Sequence, residues 1–139
     1  MFEINKSEDE INMMNPLIWA YIGDSVYEVY IKQKLIEETE YKPNKLHLLT
    51  STKVNAKSQA NTLDKLEEIL IDEEKDIVRR GRNAKNYHLP KNTSIEEYAK
   101  ATAFEALLGY LYLTKKNDRL KEILEYLENN EDENNDLEI

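Results

Sequence analysis

The sequence predicts an all-α protein. Of its 139 residues only three are glycine and three are proline, which leaves too little turn chemistry for a barrel, a sandwich or a series of hairpins. Leucine, alanine, glutamate and lysine, which favour helices, are abundant. A chain of this length buries one hydrophobic core, so we expect a single helical domain.

Composition also excludes several chemistries. The chain has no cysteine and only two histidines, far apart at positions 47 and 88, which excludes disulfides, a thiol nucleophile and the common zinc sites. A bound metal would therefore need oxygen ligands. The longest apolar runs are too short to span a bilayer, and the first residues lack the pattern of a secretion signal. We expect a cytoplasmic protein without a membrane partner.

Local signals place the helices in order. Asn15 followed by Pro16 predicts a helix start, and a helix that is apolar on all sides in its first two turns follows from Leu17 to Leu35. A second helical region begins at Pro43 and extends to Leu70. Its apolar period breaks near residues 53–55, which indicates two helices or one bent helix.

Three shorter signals define the rest of the domain. Acids at 72–74 begin a helix that we expect to end at Gly81. Thr93 and Glu96 form a predicted capping box for a helix that runs through Tyr112. Leucines and an isoleucine between 120 and 127 define the last amphipathic helix. We expect an N-terminal segment at 1–14, the folded domain at 15–128 and a disordered acidic tail at 129–139.

Charge is segregated along the chain. The net charge is −9, which by itself argues against a nucleic-acid partner. However, residues 42–57 and 79–91 contain nine basic side chains and no acid, while the remaining residues carry 10 basic and 28 acidic side chains. Such runs are often ordinary solvated faces, but two of them in an acidic chain favour an anionic ligand.

Two carboxylates occupy unusual positions. Asp24 and Glu105 each lie in the most apolar part of a central helix, without a lysine or arginine within one helical turn. A buried carboxylate must be paired, become neutral or bind a cation. One interpretation is that tyrosine hydroxyls and backbone groups are the partners, or that the side chains face solvent. The functional alternative is a Mg²⁺ site. Glu28, one turn after Asp24, either belongs to this site or forms an outward salt bridge.

Three segments resemble the catalytic domain of the ribonuclease III family. They are Tyr-Ile-Gly-Asp-Ser-Val-Tyr-Glu at 21–28, Arg-Arg-Gly-Arg-Asn-Ala-Lys at 79–85 and Thr-Ala-Phe-Glu-Ala-Leu-Leu-Gly-Tyr-Leu-Tyr at 102–112. The resemblance covers roughly residues 15–127 and is strongest to the small Mini-ribonuclease III branch, which lacks a double-stranded-RNA-binding domain. It implies a homodimeric helical bundle that uses Mg²⁺, with Mn²⁺ as a substitute, to cut double-stranded RNA.

The resemblance also implies roles for individual residues. Asp24 and Glu105 correspond to metal-binding catalytic carboxylates. Larger family members have further acids one turn before each of them, where this chain has Ala20 and Thr102, so we expect more water and phosphate around the metal. Phosphate contacts are expected from the acid-free segments, at Lys53, Lys57, Arg79, Arg80, Arg82, Asn83 and Lys85.

Partners follow from the same resemblance. We expect the dimer to form through the helix that carries residues 23–30, and the RNA to be a ribosomal RNA precursor of the 23S type, with a ribosomal protein as a further partner. Each subunit would cut one strand and leave 5′-phosphate and 3′-hydroxyl ends. Two alternatives remain: a double-stranded-RNA binder without catalysis, and an acidic helical scaffold for protein interactions.

Overall fold

The protein is all-α, as its composition predicts. The computed structural model describes residues 2–84 and 93–130, and within these two ranges it contains seven helices and no strand. They are α1 (Glu8–Asn12), α2 (Pro16–Glu38), α3 (Pro43–Lys53), α4 (Ala56–Leu66), α5 (Asp72–Asn83), α6 (Ile95–Leu113) and α7 (Asn117–Asn129).

Helices α2 and α6 form the centre of the bundle. From Ala101 onward almost every side chain of α6 is buried, and α2 packs along it through a buried face. Two aromatic pairs meet edge to face across this contact. The ring centroids of Trp19 and Tyr110 are 5.3 Å apart, and those of Tyr27 and Phe104 are 4.9 Å apart. Such pairs add specificity to the apolar burial.

Two glycines bring α2 and α6 into backbone contact. A Cβ added to Gly23 would overlap the backbone oxygen of Glu105, and a Cβ added to Gly109 would overlap that of Trp19. No other residue type permits this separation. The helix that carries Asp24 and the helix that carries Glu105 therefore cross at the position of these two acids.

The remaining helices cover the central pair. Helices α4 and α5 pack on α6, and α7 buries the residues that the sequence placed on its apolar face. The short α1 belongs to the fold as well, because Ile11 is buried in the core and its carbonyl accepts a hydrogen bond of 2.9 Å from the Trp19 indole.

Most helix positions agree with the sequence, but two predicted boundaries are wrong. Gly81 does not end α5, which continues to Asn83. Its missing Cβ instead permits close packing on α6, since a Cβ there would lie 2.9 Å from that of Ala106. The α6 cap is Ser94 with Glu97, because the sequence contains two copies of the capping pattern that are offset by one residue.

The structure also resolves the break in the second helical region into two helices, α3 and α4, with Asn55 as the N-cap of α4. The predicted disordered tail lies outside the described residues from position 131 onward. Within the described ranges, no helix has the length and apolar character needed to cross a membrane.

Candidate active site

Asp24 and Glu105 face each other across the contact between α2 and α6. Their carboxyl groups are close enough to share a hydrogen bond. The glycine contact sets this separation, because Gly23 lies next to Asp24 in the sequence and packs on the backbone of Glu105. Two acids about eighty residues apart in the chain thus lie side by side.

Their environments differ, so the alternatives that the sequence left open, burial and exposure to solvent, divide between the two acids. Asp24 is exposed to solvent, whereas Glu105 is partly buried. Desolvation raises the pKa of Glu105 to about 9, and the hydrogen bond and the negative charge of Asp24 act in the same direction. The site therefore combines one carboxyl that is open to solvent with one that resists ionisation until a positive charge arrives.

A divalent cation fits this pair. Hard cations such as Mg²⁺ prefer carboxylate oxygens and retain several waters. The structure offers no cluster of three or more acidic or histidine ligands in the residues it describes, so the two carboxylates would leave most coordination positions to water and phosphate. Ala20 and Thr102, one turn before each acid, are buried and non-acidic, so neither adds a carboxylate to the pair.

Gln59 is the site residue that sequence reasoning missed. It lies on α4 with only 2% of its surface exposed, and its side chain acts on Glu105 by lowering the pKa of that carboxyl. A signal existed in the sequence, since Gln59 shares a helical face with the buried Leu63 and Leu66. A glutamine on such a face needs a polar partner.

The first basic segment lies at the junction of α3 and α4. Lys53 is the last residue of α3 and is half-buried, while Lys57 is exposed in the first turn of α4. Lys57 precedes Gln59 by two residues and so lies near the end of α4 that reaches the carboxylates. The structure therefore leaves one of the two predicted RNA-binding lysines fully on the surface.

The second basic segment divides into inward and outward side chains. Arg80 donates a hydrogen bond of 2.7 Å to the backbone oxygen of Asn12, and its guanidinium lies 4.6 Å from the ring centroid of Trp19. The Arg80 side chain therefore contributes to tertiary packing. Arg79 is exposed and forms a 2.6 Å ion pair with Asp76.

The end of α5 packs on α6. Gly81 contacts Ala103 and Ala106 of α6, and the last two residues of α5, Arg82 and Asn83, are exposed. Arg82 makes a long contact with Glu96, 3.6 Å between Nη2 and Oε1. The predicted RNA-binding residue Lys85 lies outside the described residues.

Other polar candidates are not part of the site. Glu28 pairs outward with Lys32, 3.0 Å between Oε1 and Nζ, which settles the choice that the sequence left open. His47 is exposed on α3 beside an apolar groove, and His88 lies outside the described residues.

An all-α domain whose two central helices join a pair of carboxylates next to basic side chains defines a nuclease of the ribonuclease III type. A profile described as "Ribonuclease III domain" matches residues 17–116. The chain belongs to the ribonuclease III family, within its Mini-ribonuclease III branch, and is an endoribonuclease of that type.

Curated relatives and a solved structure resemble the chain over most of its length. Mini-ribonuclease 3 of Staphylococcus aureus is 44% identical over 122 residues, which cover 86% of this chain and 91% of the relative. The protein of the same name from Thermoanaerobacter sp. is 45% identical and covers 86% and 84%. The crystal structure of protein FN1578 from Fusobacterium nucleatum has a TM-score of 0.74 at 33% identity, and covers 84% of this chain and 93% of that one.

Proposed function

We propose that the chain is a Mg²⁺-dependent endoribonuclease that cleaves double-stranded RNA, with Asp24 and Glu105 as its catalytic and metal-binding residues. The observation that carries the proposal is the pairing of these two carboxyl groups, one open to solvent and one desolvated. Mn²⁺, which also accepts carboxylate oxygens, should substitute for Mg²⁺.

The residues of the site suit phosphodiester hydrolysis. A bound Mg²⁺ supplies an activated water and neutralises charge on the scissile phosphate. Glu105 is partly buried, while Asp24 faces the solvent from which RNA approaches. Because the two acids are mounted on helices in backbone contact, they need little reorganisation when substrate binds.

RNA contacts are proposed for the basic residues around the carboxylates. Lys57, Arg82 and Asn83 are exposed, and Lys53, Arg79 and Lys85 extend the same two acid-free segments. A-form RNA is recognised through its phosphates and 2′-hydroxyls, so no base-reading motif is needed. Arg80 is left out of this surface because its guanidinium is engaged by Asn12 and Trp19.

A homodimer is proposed through the exposed side of α2. Four apolar side chains form an apolar stripe on this helix, opposite the face that packs on α6, and one of them, Tyr21, is 80% exposed. Such a stripe on a monomer indicates an interface. A second copy of the chain would bury it by twofold symmetry. The members of the stripe are Ile18, Tyr21, Val29 and Ile36.

Oligomeric state tests this part of the proposal. Tyr21→Glu places a charge in the apolar stripe and should shift the protein to monomer in sedimentation or light-scattering experiments. Ile95→Glu is the matched control, because Ile95 is 78% exposed at the start of α6 and outside the stripe. If the two variants behave alike, the interface lies elsewhere.

Cleavage of a structured RNA duplex tests the catalytic part. Wild type should cut in Mg²⁺ and not in EDTA, and Asp24→Asn and Glu105→Gln should each lose cleavage while retaining their helical circular dichroism. Glu28→Gln is the control, since Glu28 lies one turn after Asp24 but pairs outward with Lys32. Cleavage by either site variant at the wild-type rate would remove that acid from the mechanism.

The physiological substrate is proposed to be a precursor of 23S ribosomal RNA in the cytoplasm, which rests on the family resemblance alone. Comparison of precursor stems with unrelated duplexes of equal length, each with and without ribosomal protein, measures this preference. Equal cleavage rates on all duplexes would contradict substrate selection by this chain.

The catalytic unit is proposed to span residues 15–128.

A further inference from the structure

Gln59 has an unsatisfied amide beside the catalytic pair. Within the described residues, its Nε2 is the one buried side-chain nitrogen or oxygen without a hydrogen-bond partner. The side chain is 2% exposed, so solvent does not replace the missing partner. Buried polar groups in native proteins nearly always have partners, and an exception at a functional site indicates a state in which the partner is present.

The carboxyl of Glu105 is an acceptor that fits this amide. Helix α4 packs directly on α6, and hydrogen bonding by the Gln59 side chain lowers the pKa of Glu105, so the two side chains lie within reach of each other. An amide nitrogen only donates hydrogen bonds, and a carboxylate only accepts them. In the structure, however, Glu105 is turned to Asp24, and Nε2 lacks an aligned acceptor.

A cation between the two acids would change this geometry. It would remove the need for Asp24 and Glu105 to share a hydrogen bond, and it would leave one Glu105 oxygen directed away from the metal. Carboxylate ligands in metal sites are usually hydrogen-bonded on that side by a neighbouring group. Gln59 is the buried donor that α4 supplies at this position.

We propose that Gln59 is a positioning residue, whose amide holds the carboxylate of Glu105 in the orientation that binds the divalent cation. This inference rests on the proposed function of the Asp24 and Glu105 pair. Gln59 acts through Glu105 and touches neither the RNA nor the reacting atoms.

A purely structural role predicts different behaviour. If Gln59 only fills space in the core, replacing it changes the stability of the protein equally with and without Mg²⁺. If it orients Glu105, replacement by an apolar side chain of similar length leaves the metal-free protein as stable as before or more so, because an unpaired donor is removed. The loss then appears in the response to Mg²⁺.

The test compares Gln59→Met with Thr50→Val in the full-length protein. Thr50 is also buried and polar, but it lies on α3 and bonds to the backbone oxygen of Leu46. Titration with Mg²⁺ alone, followed by thermal unfolding, should show a half-saturating concentration about 10- to 100-fold higher in Gln59→Met. Thr50→Val should match wild type in this titration.

Kinetics provide an independent measurement. Cleavage by Gln59→Met should need the same increase in Mg²⁺, recover at saturating Mg²⁺, and show an unchanged KM for RNA. Gln59→Asn, in which the amide is withdrawn by one methylene, should shift the Mg²⁺ requirement in the same direction. It serves as the second variant if methionine prevents folding.

The outcomes separate this inference from the proposed function. Mg²⁺-dependent cleavage by wild type with an unchanged Mg²⁺ requirement in both Gln59 variants would overturn the role of Gln59 and leave the nuclease site intact. Absence of any Mg²⁺ response in wild type would overturn both. A wild-type response that is lost in Asp24→Asn and weakened in the Gln59 variants supports both.

Discussion

Gly23 packs so closely on Glu105 that a Cβ at position 23 would overlap the backbone oxygen of Glu105. This contact joins the two halves of the candidate site, because Asp24 follows Gly23 on α2. The separation of the two carboxyl groups thus depends on a residue that has no side chain.

Gly23→Ala should therefore disrupt both the fold and the site. The added methyl group forces α2 away from α6, and overpacking of this kind costs about 1–3 kcal/mol, more than the helix propensity that alanine gains. Urea unfolding measures the loss of stability, and cleavage at a temperature where the variant is folded measures the loss of activity.

Ser25→Ala is the control for this substitution. Ser25 lies on the same helix, two residues away, and is exposed, so its replacement should leave both measurements near the wild-type values. A Gly23→Ala variant with wild-type stability would mean that α2 and α6 can separate without cost.

The stability of the metal-free protein should depend on Glu105. In the folded state desolvation raises the pKa of this carboxyl to about 9 from its ordinary value of 4.5. The folded state therefore binds the proton more tightly than the unfolded state, so stability is full below about pH 4.5 and falls as pH rises towards about 9. Thermal unfolding in EDTA across this range measures the decline.

Glu105→Gln tests the cause of that decline. The variant cannot ionise at position 105 and should lose less stability between about pH 5 and pH 9 than wild type. Mg²⁺ added at about pH 8 should raise the melting temperature of wild type, by binding to the folded state, but not that of Glu105→Gln. Parallel pH profiles for the two proteins would contradict this explanation.

Sequence patterns predicted the features of the fold that depend on neighbouring residues in the chain, such as helix starts and caps. Asn15 and Pro16 define the start of α2 because the cap and the first turn are local, and the capping pattern near position 94 erred by only one residue. The role of Gly81 was wrong because its missing Cβ serves a contact with α6. Close approach between helices leaves no local signal.

The candidate site also divides into residues that the sequence identifies and residues that only the packed structure identifies. Asp24 and Glu105 stand out because a charge in an apolar stretch is visible in the sequence itself. The surroundings of Gln59, which was overlooked, and of Arg80, which was assigned to RNA, come from helices distant in the chain. Burial and orientation of a polar side chain require the packed structure.

Glu128 should stabilise the contact between α7 and α2. It accepts an ion pair of 2.7 Å from Lys34 and a hydrogen bond of 2.9 Å from the Tyr30 hydroxyl. The bond from Lys34 lowers the pKa of Glu128, with a smaller contribution from Tyr30, against the opposing effect of burial. The stabilisation is thus present above the ordinary pKa of 4.5 and is lost as pH falls through the lowered value.

Glu128→Gln should cost about 1 kcal/mol near neutral pH, a value reduced by partial solvent screening, and the difference from wild type should vanish in acid. Glu125→Gln is the matched control, because Glu125 forms only an exposed pair with Lys121 at 3.9 Å on the same helix. Equal effects of the two substitutions in urea unfolding would show that the interhelical bonds contribute nothing.

Arg80 and Arg82 should separate stability from RNA binding. Arg80→Ala removes the bond to Asn12 and the contact with the Trp19 ring, and should cost about 2 kcal/mol of stability. It should leave the salt dependence of RNA binding unchanged. Arg82→Ala removes an exposed side chain that forms a long ion pair with Glu96, and should leave stability within about 0.5 kcal/mol of wild type.

The binding constant for duplex RNA, measured in EDTA across a range of salt concentrations, distinguishes the two arginines. Each phosphate contact contributes close to one unit to the slope of log K against log salt, so Arg82→Ala should reduce that slope by about one while Arg80→Ala retains it. A reduced slope in Arg80→Ala would return that residue to the RNA surface. An exposed cation that contacts phosphate must release counterions when RNA binds. An unchanged slope in Arg82→Ala would therefore mean that the end of α5 is not part of the RNA-binding surface.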